Sequence, residues 1–334
     1  MEEREPEHTG ATARGTGGTD RTDGADGAGL APAKPSDLPR GSNRGILKRT
    51  LKEYKADNLA DLAAALTYYA ILAVFPALLA LVSVVGLLSR STAKSLTDNI
   101  TSVAPGSVRS TLTTIVAQVQ AGGGKALIPL VIGILVALWS ASGYVAAFMR
   151  AGNAVYDIGE GRPAWKALPI RFAITVFIVV VLAAISVGIV FTGDLARRTG
   201  NILGLGDTAV TVWGIAKWPV MVVLFALVVA VLHWAAPNVR HGFAWVTRGS
   251  LLSIVIWLVA SALFALYVAN FSSYNKTYGT FAGIIIFLVW LWISNIALLL
   301  GLEYSAESER ARAHAGGQPL DQEPYIEPRD SRAL

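Results

Sequence analysis

The sequence predicts an all-α membrane protein, a six-transmembrane-helix bundle with short amphipathic helices and disordered tails. The first observation behind this prediction is a set of six apolar runs, each close to or above the roughly 20 residues with which a helix crosses a bilayer. The second is composition, because 53% of the 334 residues are hydrophobic and only 15% are charged. Such a chain needs lipid as part of its solvent. The six runs cover residues 62–88, 127–149, 172–192, 209–234, 251–269 and 281–302.

Composition also excludes several classes of site. The chain has no cysteine, so disulfides, zinc–thiolate sites, iron–sulfur clusters and cysteine nucleophiles are excluded. Its formal net charge of +5 is modest and does not indicate nucleic acid as a partner. We predict no cofactor and no bound metal.

Ahead of the first run, the chain divides into two segments. Residues 1–43 are rich in Gly, Ala, Asp and Thr and predict a disordered tail without a signal peptide, so the first span should direct insertion. Residues 44–58 place Leu47, Leu51 and Tyr54 on one face among five basic residues, which predicts an amphipathic helix on a bilayer with anionic lipid headgroups. A solvated charged helix leading into the first span is the alternative.

The six-helix transmembrane domain is predicted to occupy residues 59–305. Asp57 is a plausible N-cap for its first helix. Apolar residues at helical spacing over 108–119 predict short amphipathic helices at the outer face, and Gly122 to Gly124 read as a flexible turn before the second span. Residues 306–334 turn polar and predict a C-terminal cytoplasmic tail that is mostly disordered.

Basic residues near the spans predict the orientation. They are frequent before the first run, after the second and after the fourth, and less dense in the opposite loops. The positive-inside rule then puts both termini in the cytoplasm of a bacterial cell, with the chain in the inner membrane.

Several ordered patterns resemble the YihY/BrkB family of bacterial inner-membrane proteins, long carried under the misleading label of ribonuclease BN. The resemblance covers roughly residues 45–310. It implies a six-helix integral membrane protein with a poorly defined activity, for which transport and envelope resistance are the usual suggestions. The patterns are Ala65-Leu66-Thr67-Tyr68-Tyr69 with Phe75-Pro76, Trp139-Ser140-Ala141-Ser142-Gly143, Asn153-Ala154-Val155-Tyr156, Pro237-Asn238-Val239-Arg240, Tyr278-Gly279-Thr280, Trp290-Leu291-Trp292 and Gly301-Leu302-Glu303.

The ribonuclease label can be tested against the residues. Metal-dependent RNA hydrolysis needs clustered His, Asp or Glu ligands around a hydrolytic water. The four histidines lie in the tails, at His8 and His314, and at one membrane face, at His233 and His241, without a metal-ligand spacing. We therefore expect no enzymatic activity and no catalytic residue.

Polar residues at membrane depth are better candidates, because each costs free energy unless it faces the bundle or a water-filled cavity. Asn295 and Glu303 share one face of the sixth helix and indicate either a pathway for a polar or anionic substrate or interhelical hydrogen bonds. Glu303 needs a partner, and Arg240 is the one we predict, with Arg248 and Arg150 in reserve. The full set of candidates, for a polar pathway or a structural network, is Tyr68, Tyr69, Asn153, Tyr156, Asp157, Arg240, Tyr278, Asn295 and Glu303.

Two functions remain open at this point. One is a transporter or flippase for an amphipathic or anionic envelope substrate, and the other is a non-transporting scaffold for envelope integrity. The first predicts a polar cavity that reaches the bilayer midplane, and the second a dry, closely packed core. The G-x-x-x-G from Gly279 to Gly283 would let another helix approach, either within the chain or from a second copy in a homo-oligomer.

Overall fold

The structure is a computed structural model that describes residues 42–86, 127–190, 197, 207–240, 247–270, 280–319 and 324–334. Tyr278, the predicted N-terminal tail up to residue 41 and the predicted amphipathic helices within 108–119 lie outside these residues. The helices are α1 (Ser42–Ala56), α2 (Leu59–Gly86), α3 (Leu127–Val155), α4 (Ala164–Val190), α5 (Asp207–Ala235), α6 (Arg248–Asn270) and α7 (Thr280–Ala315).

The helical fold confirms the predicted class. Each of the six apolar runs coincides with one long helix, from α2 to α7. Within the described residues, α3 to α7 are each long and apolar enough to cross a membrane, and the described side chains of α2 add a shorter apolar stretch, Leu59–Val74. The amphipathic helix α1 begins and ends two residues before the predicted 44–58.

The long helices are arranged in a ring. Consecutive helices pack against each other from α2 to α7, and α7 closes the ring by packing against α2 and also against α3. Helix α1 lies across α7 at one end, which is called the α1 end below. Residues 324–334 return to this same end, where Tyr325 packs over Arg310 of α7.

Tight turns with positive φ angles separate the elements at the α1 end. Asn58, with φ of 51°, follows α1, and its carbonyl accepts hydrogen bonds from Asp61 and Leu62 at the start of α2. Asp157, with φ of 53°, follows α3 in the same way. Asn and Asp are the residues that most readily tolerate this left-handed conformation. The position directly before α2 therefore belongs to Asn58 and not to the predicted cap Asp57.

Helices α6 and α7 meet backbone to backbone. A Cβ atom added to Gly301 would clash with the carbonyl oxygen of Gly249, and the converse holds for Gly249, while Ser253 and Ser305 fill the adjacent turns. This contact uses a small-x-x-x-small pair on each helix. The predicted G-x-x-x-G lies elsewhere: Gly283 has open space around it and Gly279 is outside the described residues.

Buried side chains are concentrated toward the α1 end. In α7 they run from Asn295 to Ser308, whereas between residues 283 and 294 none is buried. In α5 the buried residues cluster between 228 and 235. In the rest of the described helix, from 208 to 227, Lys217 is the one buried residue. In α6 the described side chains from 255 to 269 are all at least partly exposed. Among the described side chains of α5, α6 and α7, the buried ones are therefore concentrated at the α1 end.

Candidate functional site

A cluster of charged side chains lies at the α1 end, where α1, α2 and α7 meet. Glu303 of α7 is 1% exposed, and its carboxyl group hydrogen-bonds to that of Asp57 in the turn before α2. Its Oε2 atom has no hydrogen-bond partner among the described residues. A hydrogen bond between two carboxyl groups requires that one of them carry a proton, so the pair shares a proton.

Asp57 is perturbed by this environment. Burial raises its pKa to about 6, and the nearby charges of Asp157 and Glu53 add to the rise, while the hydrogen bond with Glu303 and the charge of Arg310 oppose it. Two carboxyl groups in contact titrate as a pair, because ionising both would place two negative charges side by side.

One turn beyond Glu303, a chain of ion pairs surrounds this carboxyl pair. Arg49 Nε of α1 lies 2.8 Å from Oε2 of the buried Glu307, and Arg310 Nη2 lies 2.6 Å from Asp157 Oδ2. The guanidinium of Arg310 also stacks 4.7 Å from the ring centroid of Tyr325. These pairs fix α1 and the C-terminal segment to the end of α7.

The predicted partner of Glu303 is wrong. Arg240 instead pairs with Glu327, at 3.3 Å between Nη1 and Oε2, and both side chains are mostly exposed. The reason is the segment 324–334, whose backbone pairs with Arg240 and draws it to the surface. Glu303 is stabilised by sharing a proton with Asp57, an arrangement that needs no cation.

A second polar layer joins the ends of α3 and α5. The side-chain oxygen of Asn153 accepts a hydrogen bond from the backbone N–H of Asn238 at 2.7 Å, and its amide donates to Glu160 at 3.0 Å. Glu160 also holds Arg162 through two guanidinium nitrogens at 2.6 and 2.7 Å. Burial alone would raise the pKa of Glu160, but Arg162 and Asn153 outweigh it and the pKa is lowered.

The C-terminal segment is the third member of this layer. Asn238 donates its amide to the carbonyl of Asp330 at 2.7 Å, and Lys166 Nζ lies 2.8 Å from Asp330 Oδ2. Val239 and Pro328 form an isolated antiparallel β-bridge. The sequence predicts that this segment belongs to a mostly disordered tail; in the structure its backbone groups pair with Gly161, Asn238 and Arg240 in the loops that follow α3 and α5.

At membrane depth, Asn295 joins three helices. Its amide donates to Thr67 Oγ1 of α2 at 3.0 Å, and its oxygen accepts from the Tyr144 hydroxyl of α3 at 2.9 Å. Both functional groups of Asn295 are thus used within the bundle. In the described region, this is the interhelical arrangement that we weighed against a substrate pathway.

Tyr68 and Tyr69 directly follow Thr67 in α2. Tyr68 is 61% exposed and meets Tyr69 edge-on, with ring centroids 5.4 Å apart. Tyr69 packs beside Gly143, where an added Cβ would lie 3.2 Å from its ring, and under the guanidinium of Arg150. Tyr156, in contrast, is buried near Glu303 and Tyr325 at the α1 end.

Comparison with known proteins identifies the family. The family model described as Virulence factor BrkB matches residues 50–324. The chain belongs to this family. A ribonuclease-like protein of Bacillus subtilis, YfkH, is 29% identical over 78% of this chain and 94% of its own length. A UPF0761 membrane protein of Aromatoleum aromaticum is 25% identical over 82% of this chain and 67% of its own. A UPF0761 membrane protein of Alkalilimnicola ehrlichii is 27% identical over 59% of this chain and 44% of its own.

No solved structure matches this BrkB-family chain. Among the residues that the structure describes, no group of three or more His, Asp or Glu side chains is placed to hold a metal ion. The acidic side chains at the α1 end are instead engaged with each other and with arginines.

Sequence reasoning singled out Glu303 and Asn153 but missed Asp57, Glu307 and Asn238 as their neighbours. One signal was available, because Glu303, Glu307 and Arg310 are spaced at i, i+4 and i+7 and so share a face of α7. That face continues beyond the apolar run. A helix that stays amphipathic past its membrane span predicts a contact with another element at the surface.

Proposed function

We propose that this BrkB-family protein is a transporter or flippase for an amphipathic or anionic envelope substrate. The observation that carries the proposal is the unequal packing of the bundle. Among the described side chains, helices α5, α6 and α7 bury many at the α1 end and few over the other half. This difference supports a ring that is closed at the α1 end and accessible from the other. A protein that gives access to one side of a membrane at a time has this form.

The proposal puts the closed α1 end in the cytoplasm of a bacterial cell, with the bundle in the inner membrane. Both described ends of the chain, α1 and residues 324–334, lie at the α1 end, as six spans require. The basic residues of α1 favour the cytoplasmic side. Leu47 and Leu51 are 47% and 58% exposed, so this apolar face of α1 is available to a bilayer, whose anionic headgroups the basic residues of α1 would meet.

A non-transporting scaffold is the second candidate, and one observation favours it. The α1 end is held by ion pairs, a β-bridge and the Asn153–Asn238 hydrogen bonds, an arrangement that resists opening. The words ribonuclease-like in the name of the Bacillus subtilis relative refer to that protein. Our proposal assigns no catalytic step to this chain.

The decisive experiment measures water inside the half of the bundle away from the α1 end. Because the chain has no cysteine, single cysteines can be introduced without removing native ones. Ser261 of α6 accepts a hydrogen bond from Trp290 of α7, whereas Leu263, at similar depth, is 62% exposed in the region that would contact lipid. Ser253 is buried at the α1 end.

In proteoliposomes, a membrane-impermeant methanethiosulfonate should modify Ser261→Cys but neither Leu263→Cys nor Ser253→Cys. A scaffold with a dry core should leave all three unmodified. Transport itself is tested with fluorescent phosphatidylglycerol in the same vesicles: the protein should speed its movement between leaflets, as measured by dithionite quenching. Unmodified Ser261→Cys together with a translocation rate equal to that of protein-free vesicles would contradict the transporter.

A further inference from the structure

A surface site at the contact of α2, α3 and α4, called the groove below, contains two arginines. Arg150 of α3 lies over the ring of Tyr69, which packs beside Gly143, and Arg171 of α4 bonds to the neighbouring Ser142. The Arg171 side chain is fixed by hydrogen bonds from Nε to the Ser142 carbonyl, at 2.8 Å, and from Nη2 to Ser142 Oγ, at 2.5 Å. In the described part of the chain, neither guanidinium forms an ion pair with a carboxylate.

Aromatic rings from three helices border these two charges. Arg150 lies 5.6 Å from the ring centroid of Tyr69 of α2, and Arg171 lies 5.7 Å from that of Trp139 of α3 and 5.9 Å from that of Phe172 of α4. Trp139 is 63% exposed. Gly143 leaves the space that Tyr69 fills, because an added Cβ would lie 3.2 Å from that ring.

Arg150 directly follows the apolar run 127–149 and Arg171 directly precedes the run 172–192, positions at which the headgroup layer of a bilayer is expected. Arg150 is five residues before the end of α3 and Arg171 seven residues after the start of α4, which puts both within about 10 Å of the helix ends at 1.5 Å per residue. The groove continues toward the hydrocarbon along exposed apolar side chains of α3. These are Trp139, Val136, Leu135 and Ile132, between 51% and 63% exposed.

We propose that this groove, formed by Tyr69, Arg150, Arg171 and Trp139, binds the phosphate headgroup of an anionic phospholipid. The two guanidinium groups bind the phosphodiester, Tyr69 and Trp139 flank it, and an acyl chain lies along the exposed stripe of α3. Arginine suits this role because its planar donors match phosphate oxygens and it is weakly hydrated. The site goes beyond the proposed transport, since it requires only a bundle that stands in a bilayer.

The test is lipid binding to the full-length protein in a neutral detergent, measured by native mass spectrometry and by the shift in melting temperature. The probes are phosphatidylglycerol, phosphatidylcholine, inorganic phosphate and glycerol 3-phosphate. Phosphatidylglycerol should bind and stabilise the protein, and the other three should not. Arg171→Gln and Arg150→Gln should each weaken phosphatidylglycerol binding by about tenfold, the effect of one lost charge-assisted hydrogen bond.

Arg240→Gln is the matched control, because Arg240 is an exposed arginine at the same end and outside the groove. It should leave binding unchanged. If the groove variants do not fold, a photoactivatable phosphatidylglycerol on the unaltered chain still decides the question, and it should label α2 near Tyr69, or α3 or α4 between residues 132 and 176. Labelling elsewhere only, equal binding of phosphatidylcholine, equal loss in Arg240→Gln, or displacement by inorganic phosphate at equal concentration would overturn the proposal. Because none of these measurements records translocation, the site can stand or fall apart from transport.

Discussion

At the residue scale, the contact between Asp57 and Glu303 sets a pH dependence. The pKa of Asp57 is raised from 3.8 to about 6 in the folded protein, so the folded state binds its proton more tightly than the unfolded state does. Stability is therefore greatest when Asp57 is protonated and falls as the pH rises toward about 6. Above that pH, the folded protein carries a partly buried negative charge beside a second carboxyl group.

Asp57→Asn removes this charge while keeping the size of the side chain. We expect it to raise the melting temperature of the detergent-solubilised protein near about pH 7.5 and to change it little near about pH 4.5. Asp61→Asn is the control, because Asp61 is exposed one turn into α2. A variant that melts at or below the parent temperature near about pH 7.5 would refute the assignment.

The sequence predicted that Glu303 needs a partner, but the partner it predicted, Arg240, pairs with Glu327 instead. The depth of Glu303 follows from its position at the end of an apolar run, which is local information. Its neighbour depends on how the turn at Asn58 directs Asp57 toward α7, and on residues 324–334 holding Arg240 at the surface. Neither effect leaves a trace in residue spacing.

At the element scale, the helices themselves were predictable and their contacts were not. Apolar length alone located each of α2 to α7, because a bilayer imposes that length. The ends are less exact: α4 begins eight residues before its apolar run, and α7 continues 13 residues beyond its own. The contact between Gly249 and Gly301 of α6 and α7 is not predicted by the G-x-x-x-G pattern, which ends at Gly283, a residue that faces open space. A small residue permits close approach, but which helix approaches is set by the whole bundle.

Gly301→Ala tests this contact. The added methyl group meets the backbone of Gly249, which cannot move aside as a flexible side chain could. We expect a loss of about 2 kcal/mol or more in stability, seen as lower folded yield and a lower melting temperature. Gly283→Ala, in the open part of the same helix, should be neutral or slightly stabilising. Similar behaviour of the two variants would contradict the close contact.

At the scale of the whole molecule, both described ends of the chain lie at the α1 end, and the positive-inside rule predicts that this end is cytoplasmic. Single cysteines test the orientation in oriented membrane vesicles. Gly45→Cys and Gly316→Cys should react from the cytoplasmic side, since Gly45 has open space around it and Gly316 is exposed. Gly123→Cys and Gly200→Cys, both outside the described residues, should react from the opposite side. Labelling of Gly45→Cys and Gly316→Cys from opposite sides would disprove the six-span topology.

The backbone contact between α6 and α7 also constrains how the bundle can move. Two helices joined by facing glycines, with serines filling the adjacent turns, have no room to slide or roll past each other. We expect them to move as one unit. A change in the shape of the ring would then take place at its other interfaces, such as the one between α5 and α6.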